Sequence, residues 1–252
     1  MKILFFGDVY GNPGREYLYE KLDNLKEKYR PNIIIINGEN IAPNGRGINK
    51  AIYKELMSKG ISAITMGNWV FGNSELLDFI DGSNVVRPIN FYDAKGSGTL
   101  VINFNGKKLL IINALGRTYM NNSVENPFLV CKKALEEIPH DYSFIDFHAE
   151  ATSEKVALGY YLDGLASAIV GTHTHVQTTD DRILEKGTLY ISDVGMTGPL
   201  DGVIGVDREI VINRFINGHA PINKVPEGRR QLSAVFLDLE LKKIERIYEY
   251  EE

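Results

Sequence analysis

The segment NIIIINGEN, residues 32–40, places four consecutive isoleucines directly before an asparagine, a glycine, a carboxylate and an amide. An unbroken β-branched run of this length is typical of a strand that is buried on both faces, as in parallel sheets. Polar side chains that follow such a strand lie at its carboxyl end, where open α/β sheets bind their ligands. The segment therefore predicts an α/β fold and the edge of the sheet that carries a site.

The flanking sequence repeats this alternation of short apolar runs with amphipathic stretches. We expect strands at residues 2–6, 32–36, 63–66, 144–147 and 167–170, and helices at residues 17–29, 48–58, 75–80, 130–137 and 153–162. The β-α-β-α-β order favours a parallel sheet with right-handed crossovers.

Antiparallel strands are expected in the middle and in the last third of the chain. Asn105-Gly106 separates residues 99–104 from residues 108–112, which is a strong hairpin signal. Residues 210–215, 233–238 and 243–248 also have the pattern of strands. Two sheets between helices are the most economical arrangement. Because the sequence contains no linker, repeat or low-complexity tract, we expect one domain over residues 1–252.

Composition limits the classes of partner. The chain has a net charge of -5, which argues against an extended nucleic-acid surface or an anionic membrane as partner. A small phosphodiester remains compatible, because bound metal ions supply positive charge. The lone cysteine, Cys131, excludes an internal disulfide and is expected in the core. The sequence shows no signal peptide and no apolar run long enough for a membrane, so we expect a cytoplasmic protein.

Polar side chains of ligand type follow five of the predicted strands. They are Asp8, Glu39, Asn40, Asn68, His148, His173 and His175. The carboxyl ends of parallel strands share one edge, so we expect these side chains to meet there. A mixed set of nitrogen and oxygen ligands is typical of a transition-metal site. Gly7, Gly38, Gly67 and Gly171 would allow the backbone to approach closely.

Each of these residues also has a structural interpretation when it is taken alone. Asp8 has the character of a turn residue, Glu39 and Asn40 could form a polar turn, and His148 could be a hydrogen-bonded core histidine. In an extended segment His173 and His175 would share a face about 7 Å apart, which suits two neighbouring metals better than one. The combination favours a two-metal site over coincidence or a purely structural domain.

The same blocks resemble, in order, those of the calcineurin-like metallophosphoesterases. They are Gly7-Asp8, Gly38-Glu39-Asn40, Gly67-Asn68 and the segment GTHTH at residues 171–175. The bacterial YmdB-like branch is the closer match, because its middle block has Glu-Asn in place of Asp. The segment DFHAEATSEK, residues 146–155, resembles that branch almost letter for letter, and the likeness extends to about residue 240.

The resemblance implies a four-layer α-β-β-α sandwich with two transition-metal ions, iron or manganese most often. It also implies a phosphodiesterase that cleaves small phosphodiesters, such as 2′,3′-cyclic nucleotides, by attack of a metal-bound hydroxide, and a chain that self-associates. Carried over position by position, one metal would take Asp8, Asn40 and His175. The other metal would take Asn68, His148 and His173, and Glu39 would bridge the two.

Trp69 departs from the family pattern, in which a histidine that serves as general acid follows Gly-Asn. An indole cannot donate a proton at neutral pH, although its N–H can donate a hydrogen bond. His140 and His219, expected at the surface, lie in no block that would replace it. Either another group or water supplies the proton, or turnover is impaired. The second case leaves open a metal-bound, weakly catalytic regulator that binds a nucleotide or a protein.

Overall fold

Two stacked β-sheets form the centre of the molecule in the computed structural model, which describes residues 1–219 and 221–252. The strands are β1 (Lys2–Phe6), β2 (Ile33–Asn37), β3 (Ala63–Thr65), β4 (Val85–Val86), β5 (Thr99–Phe104), β6 (Lys107–Leu115), β7 (Tyr142–His148), β8 (Ala168–Thr172), β9 (Arg182–Ile183), β10 (Leu189–Ile191), β11 (Gly198–Pro199), β12 (Arg230–Asp238) and β13 (Lys243–Tyr250). The helices are α1 (Gly11–Tyr29), α2 (Lys50–Ser58), α3 (Pro127–Glu137), α4 (Thr152–Tyr161) and α5 (Arg208–Asn217), with a 3₁₀ turn at Ser74–Asp78.

Parallel strands make up the middle of both sheets. The first sheet has the order β11-β12-β1-β2-β3-β4, with β13 paired to β12, and β1 to β4 run parallel. The second has the order β5-β6-β7-β8-β10-β9, with β6, β7, β8 and β10 parallel. Antiparallel strands lie at both edges of the second sheet and at one edge of the first, and the hairpin predicted at Asn105-Gly106 joins β5 to β6.

The apolar side chains sort into layers with the period of a strand. Ile3 and Phe5 of β1 point into the space between the sheets, where Phe5 lies 5.1 Å from the ring of Phe144. Leu4 and Phe6 point the other way, onto α1 and α2. The far side of the second sheet packs on α3 and α4, where Cys131 is buried as predicted. The α-β-β-α sandwich implied by the family resemblance is confirmed.

The strand predicted at residues 210–215 is wrong, because this segment lies in α5. The Asp207 carboxylate accepts the backbone N–H groups of Glu209 and Ile210, and Gly218 ends the helix in the left-handed conformation. These two caps stabilise a helix in this segment although its β-branched composition favours a strand. Helix α1 also begins at Gly11 rather than at residue 17. Pro13 does not prevent this earlier start, because it lies in the first turn of the helix, where proline is tolerated.

No helix in the described part of the chain combines the length and the apolar character that crossing a membrane requires.

Candidate metal centre

The predicted ligands lie along the edge where parallel strands of both sheets end. The first sheet contributes Asp8, Glu39, Asn40 and Asn68, which follow β1, β2 and β3. The second sheet contributes His148, the last residue of β7, and His173 and His175, which follow β8. Asp8, Glu39, Asn40, His148 and His175 are buried, whereas Asn68 and His173 are partly exposed.

Three side chains surround the Nε2 atom of His148. Glu39 Oε1 lies 3.0 Å from it, Asn68 Oδ1 3.2 Å and His173 Nδ1 3.0 Å. Ligand atoms of Glu39, His148 and His173 all lie within 4.8 Å of one another. Four side chains from both sheets therefore converge on one small volume.

A chain of hydrogen bonds fixes the tautomer of His148. The hydroxyl of Thr172 donates to Asp146 Oδ1 at 2.7 Å, so its oxygen accepts the Nδ1–H of His148 at 2.8 Å. The Nε2 atom of His148 consequently carries a lone pair, which is the form that ligates metals.

The facing nitrogen of His173 also presents a lone pair. Its Nε2–H donates to Glu150 Oε2 at 3.0 Å, which leaves Nδ1 unprotonated towards His148. Burial lowers the pKa of His148 and of His173 to about 4, so both imidazoles are neutral at neutral pH. Lone pairs that face each other at 3.0 Å without a proton between them repel, and a cation removes the repulsion. The donor set fits a metal ion.

The remaining predicted ligands supply further free acceptor atoms. Asp8 Oδ1 and Asn40 Oδ1 are buried and have no hydrogen-bond partner among the described residues. The amide nitrogen of Asn40 donates to the carbonyl of Gly45, which turns its oxygen away from that loop. His175 donates Nδ1–H to the carbonyl of Ile204 at 2.8 Å, so its Nε2 is unprotonated. Buried, unpartnered oxygens are costly unless something else satisfies them, and a second cation would do so.

Gly67 makes room for this cluster. A Cβ atom built on Gly67 would lie 2.1 Å from Glu39 Oε2 and 2.4 Å from the ring of His148. Any larger residue would therefore displace two of the proposed ligands.

The expectation that residues 173–175 are extended is wrong. Strand β8 ends at Thr172, and His173 and His175 have φ angles of 104° and 66°. Positive φ is strained for residues with a side chain, and such strain occurs in turns and clusters at functional sites. Thr174, between the two histidines, donates its N–H and its hydroxyl to Asp193 Oδ2. Two bends, rather than the pleat of a strand, orient the imidazoles.

Sequence reasoning missed the residues that support these ligands. Lys155 donates to Asp193 Oδ2 at 2.7 Å in a buried ion pair, and Asp146 and Thr172 orient His148. Asp146 and Lys155 both belong to the segment DFHAEATSEK, so its resemblance to the family could have identified these two residues as part of the site. Asp193 had no comparable signal.

The two other histidines stand apart from the site. The imidazole of His140 contacts the carbonyl of Ile138 and that of His219 contacts the carbonyl of Asn217. Neither lines the cleft of about 270 Å³ above the cluster, which Glu39, Trp69, Glu150, His173 and His175 border.

Comparison with known proteins gives extensive matches. The sequence profile of a family described as "YmdB-like protein" matches residues 4–249. A 2′,3′-cyclic-nucleotide 2′-phosphodiesterase of Bacillus subtilis (strain 168) is 51% identical over 256 residues, covering 98% of this chain and 96% of that protein. The crystal structure of a phosphatase from Mycoplasma pneumoniae has a TM-score of 0.93 and 38% identity, covering 100% of this chain and 94% of that one. The crystal structure of a hypothetical protein from Thermus thermophilus has a TM-score of 0.94 and 36% identity, covering 100% of both chains.

Metal binding is expected to weaken as the pH falls through 7. Burial raises the pKa of Asp8 and of Glu39 to about 7, so each carboxyl is part-protonated at neutral pH and must lose its proton to ligate. We expect release of about one proton per protein at pH 7 and close to none well above it. Calorimetric titration with Mn²⁺ in two buffers of different ionisation enthalpy measures this number. A proton release that is the same at pH 7 and at pH 9 would contradict the argument.

Removing the support of His148 is expected to weaken metal binding. Thr172→Val keeps the shape but removes the acceptor for His148 Nδ1–H, so metal affinity should fall about 10- to 100-fold. The free energy of unfolding should fall by about 1–3 kcal/mol. Thr188→Val is the matched control, because the Thr188 hydroxyl is equally buried and bonds Gly164 and Ala166, which are not among the proposed ligands. Equal metal affinity in the two variants would refute the role of Thr172.

Proposed function

The chain belongs to the YmdB-like protein family, and on this premise we propose that it is a metal-dependent phosphodiesterase acting on small phosphodiesters such as 2′,3′-cyclic nucleotides. The observation that carries the proposal is the convergence of carboxyl, amide and imidazole ligand atoms around His148 Nε2. The name of the Bacillus subtilis relative supports the substrate class.

Two sets of side chains would hold the ions. One set is Asn68, His148 and His173, the other is Asp8, Asn40 and His175, and Glu39 would bridge them. Iron and manganese suit nitrogen and oxygen ligands of this kind. When bound, the two ions would acidify a water molecule and withdraw charge from the phosphate oxygens.

The chain's own residues set the charge and the orientation of the site. Asp8 and Glu39 are the two carboxylates of the proposed ligand set, and the imidazoles and amides are neutral. Two divalent ions would therefore leave net positive charge for a phosphodiester anion. Glu39 also accepts the backbone N–H of Trp69 at 3.2 Å, which holds the indole beside the ligands. The cleft is small and suits a small molecule better than an extended polymer.

Among the described residues, the cleft has no histidine besides the proposed ligands that could deliver a proton to the leaving oxygen. His173 and His175 are the histidines that line it, and both are proposed ligands. Trp69 borders the cleft with 37% of its surface exposed, and its N–H can orient an oxygen without protonating it. Substrates with a poor leaving group are therefore expected to react slowly.

Trp69 also supports a second candidate function, a metal-bound regulator with weak catalysis that binds a nucleotide or a protein. Metal content is the same in both cases, so turnover per pair of metal ions separates them. Metal identity, a cytoplasmic location, a single domain over residues 1–252 and self-association stay predictions.

Restoring an imidazole is expected to accelerate cleavage of cyclic nucleotides. Trp69→His should raise kcat for a 2′,3′-cyclic nucleotide by about 10²- to 10⁴-fold, the usual contribution of a general acid. The kcat for an aryl phosphodiester should change far less, because its leaving group needs no proton. Tyr92→His, at an exposed aromatic residue outside the cleft, is the control. An unchanged kcat for the cyclic nucleotide would show that another group already delivers the proton, and absence of turnover in both proteins would favour the regulator.

A further inference from the structure

The wall of the cleft next to the proposed ligands consists of an indole and a guanidinium. Trp69 directly follows Asn68, and the guanidinium carbon of Arg46 lies over its ring, 4.3 Å from the centroid. Both side chains line the same cleft as Glu39 and His173. A flat π-surface and a delocalised cation thus stand beside the position expected for the phosphate.

The loop that carries Arg46 is tied to two of the proposed ligands. Asn40 donates its side-chain amide to the carbonyl of Gly45, and the N–H of Gly47 donates to the carbonyl of Glu39. Gly45 and Gly47 have φ angles of 73° and 69°, which favour glycine and shape the turn. The position of Arg46 is therefore fixed relative to the ligands by backbone contacts on both sides of it.

The guanidinium of Arg46 has no carboxylate within ion-pair distance in residues 1–219 and 221–252. Arg229 and Arg230 instead pair with acids, and Arg87 donates to backbone carbonyls, whereas Arg30 and Arg117 share with Arg46 the lack of a carboxylate partner among the described residues. Arg46 is exposed, and its guanidinium lies over the indole of Trp69. Its N–H donors remain available to a ligand.

Indole and guanidinium planes are the groups on which proteins stack nucleobases. In a nucleoside 2′,3′-cyclic phosphate only the ribose separates the base from the phosphate. A base attached to a phosphate at the proposed ligands would therefore lie in the same cleft as Trp69 and Arg46. Trp69 and Arg46 provide a stacking surface for that base, whereas a site for phosphate alone needs no indole.

We propose that Trp69 and Arg46 form a nucleobase platform, which makes the chain selective for nucleoside cyclic phosphates over cyclic phosphodiesters that lack a base. This inference rests on the proposed function of the same site. The platform occupies the position at which the family resemblance implies a histidine that delivers a proton. The residue at 69 in this chain thus contributes to substrate binding in place of proton transfer.

The single tryptophan allows a direct test of contact. Trp69 is the only tryptophan of the chain, so intrinsic fluorescence reports on it alone. In the metal-loaded protein, adenosine 3′-monophosphate should change the emission in a saturable way. Glycerol 2-phosphate has the phosphate but no base. It should displace the nucleotide, yet when added alone it should leave the emission nearly unchanged. Binding of the nucleotide without a change in emission would overturn the proposal.

A kinetic test compares 2′,3′-cyclic AMP with glycerol 1,2-cyclic phosphate as the substrate without a base. Trp69→Ala should lower the ratio of kcat/KM for the two substrates by roughly 5- to 150-fold, mainly through KM for the nucleotide. Trp69→Phe should recover most of this loss. Arg46→Ala should lower the ratio by roughly 2- to 5-fold. Tyr92→Ala, which removes an exposed aromatic outside the cleft, should leave the ratio as it is.

The outcomes separate the inference from the proposed function. If both substrates are cleaved and Trp69→Ala leaves the ratio of their kcat/KM values unchanged, the nucleobase platform is refuted, whereas the proposed phosphodiesterase function is supported. If neither substrate is cleaved by the metal-loaded protein, the proposed function fails. The fluorescence titration then still decides whether a base lies on Trp69. Thermal unfolding of each variant verifies that the comparison is made between folded proteins.

Discussion

The arrangement of the site rests on the convergence of ligand-type atoms at the edge where parallel strands of both sheets end. Around His148 Nε2 the chain places a carboxyl oxygen, an amide oxygen and a second imidazole nitrogen. Burial makes unsatisfied acceptors expensive, so the fold holds in place an arrangement that a cation would stabilise. Gly67 leaves the space that these side chains occupy. Much of the surrounding structure serves to keep them there.

The supporting residues act in two ways. The hydrogen bonds from His148 through Thr172 to Asp146 select which imidazole nitrogen faces the cluster. The buried pair of Lys155 and Asp193 holds the turn that contains His173 and His175 in left-handed backbone conformations. Buried ion pairs contribute little net stability, because desolvation offsets their attraction. This pair is better explained by the strained turn that it secures.

Trp69 links the chemistry of the site to its selectivity. An imidazole at this position lowers the barrier by giving a proton in the transition state, whereas an indole stabilises a bound base equally in the ground state and in the transition state. Stacking of the base on the indole therefore lowers KM without raising kcat. The Trp69–Arg46 pair is therefore consistent with both of the functions considered, a slow and selective enzyme or a nucleotide-binding regulator.

The parallel strands, and the edge at which polar residues follow them, are predictable from the sequence because isoleucine runs and strand-end glycines are local signals. The sequence pattern misassigned α5, where the caps at Asp207 and Gly218 outweigh β-branched composition. Three features came from the folded chain and had no signal in the sequence: the bends at His173 and His175, the support from Asp193 and the contact of Arg46 with Trp69. The reason is physical: local patterns encode the period and the turn chemistry of a segment, whereas partners distant in sequence are selected by packing.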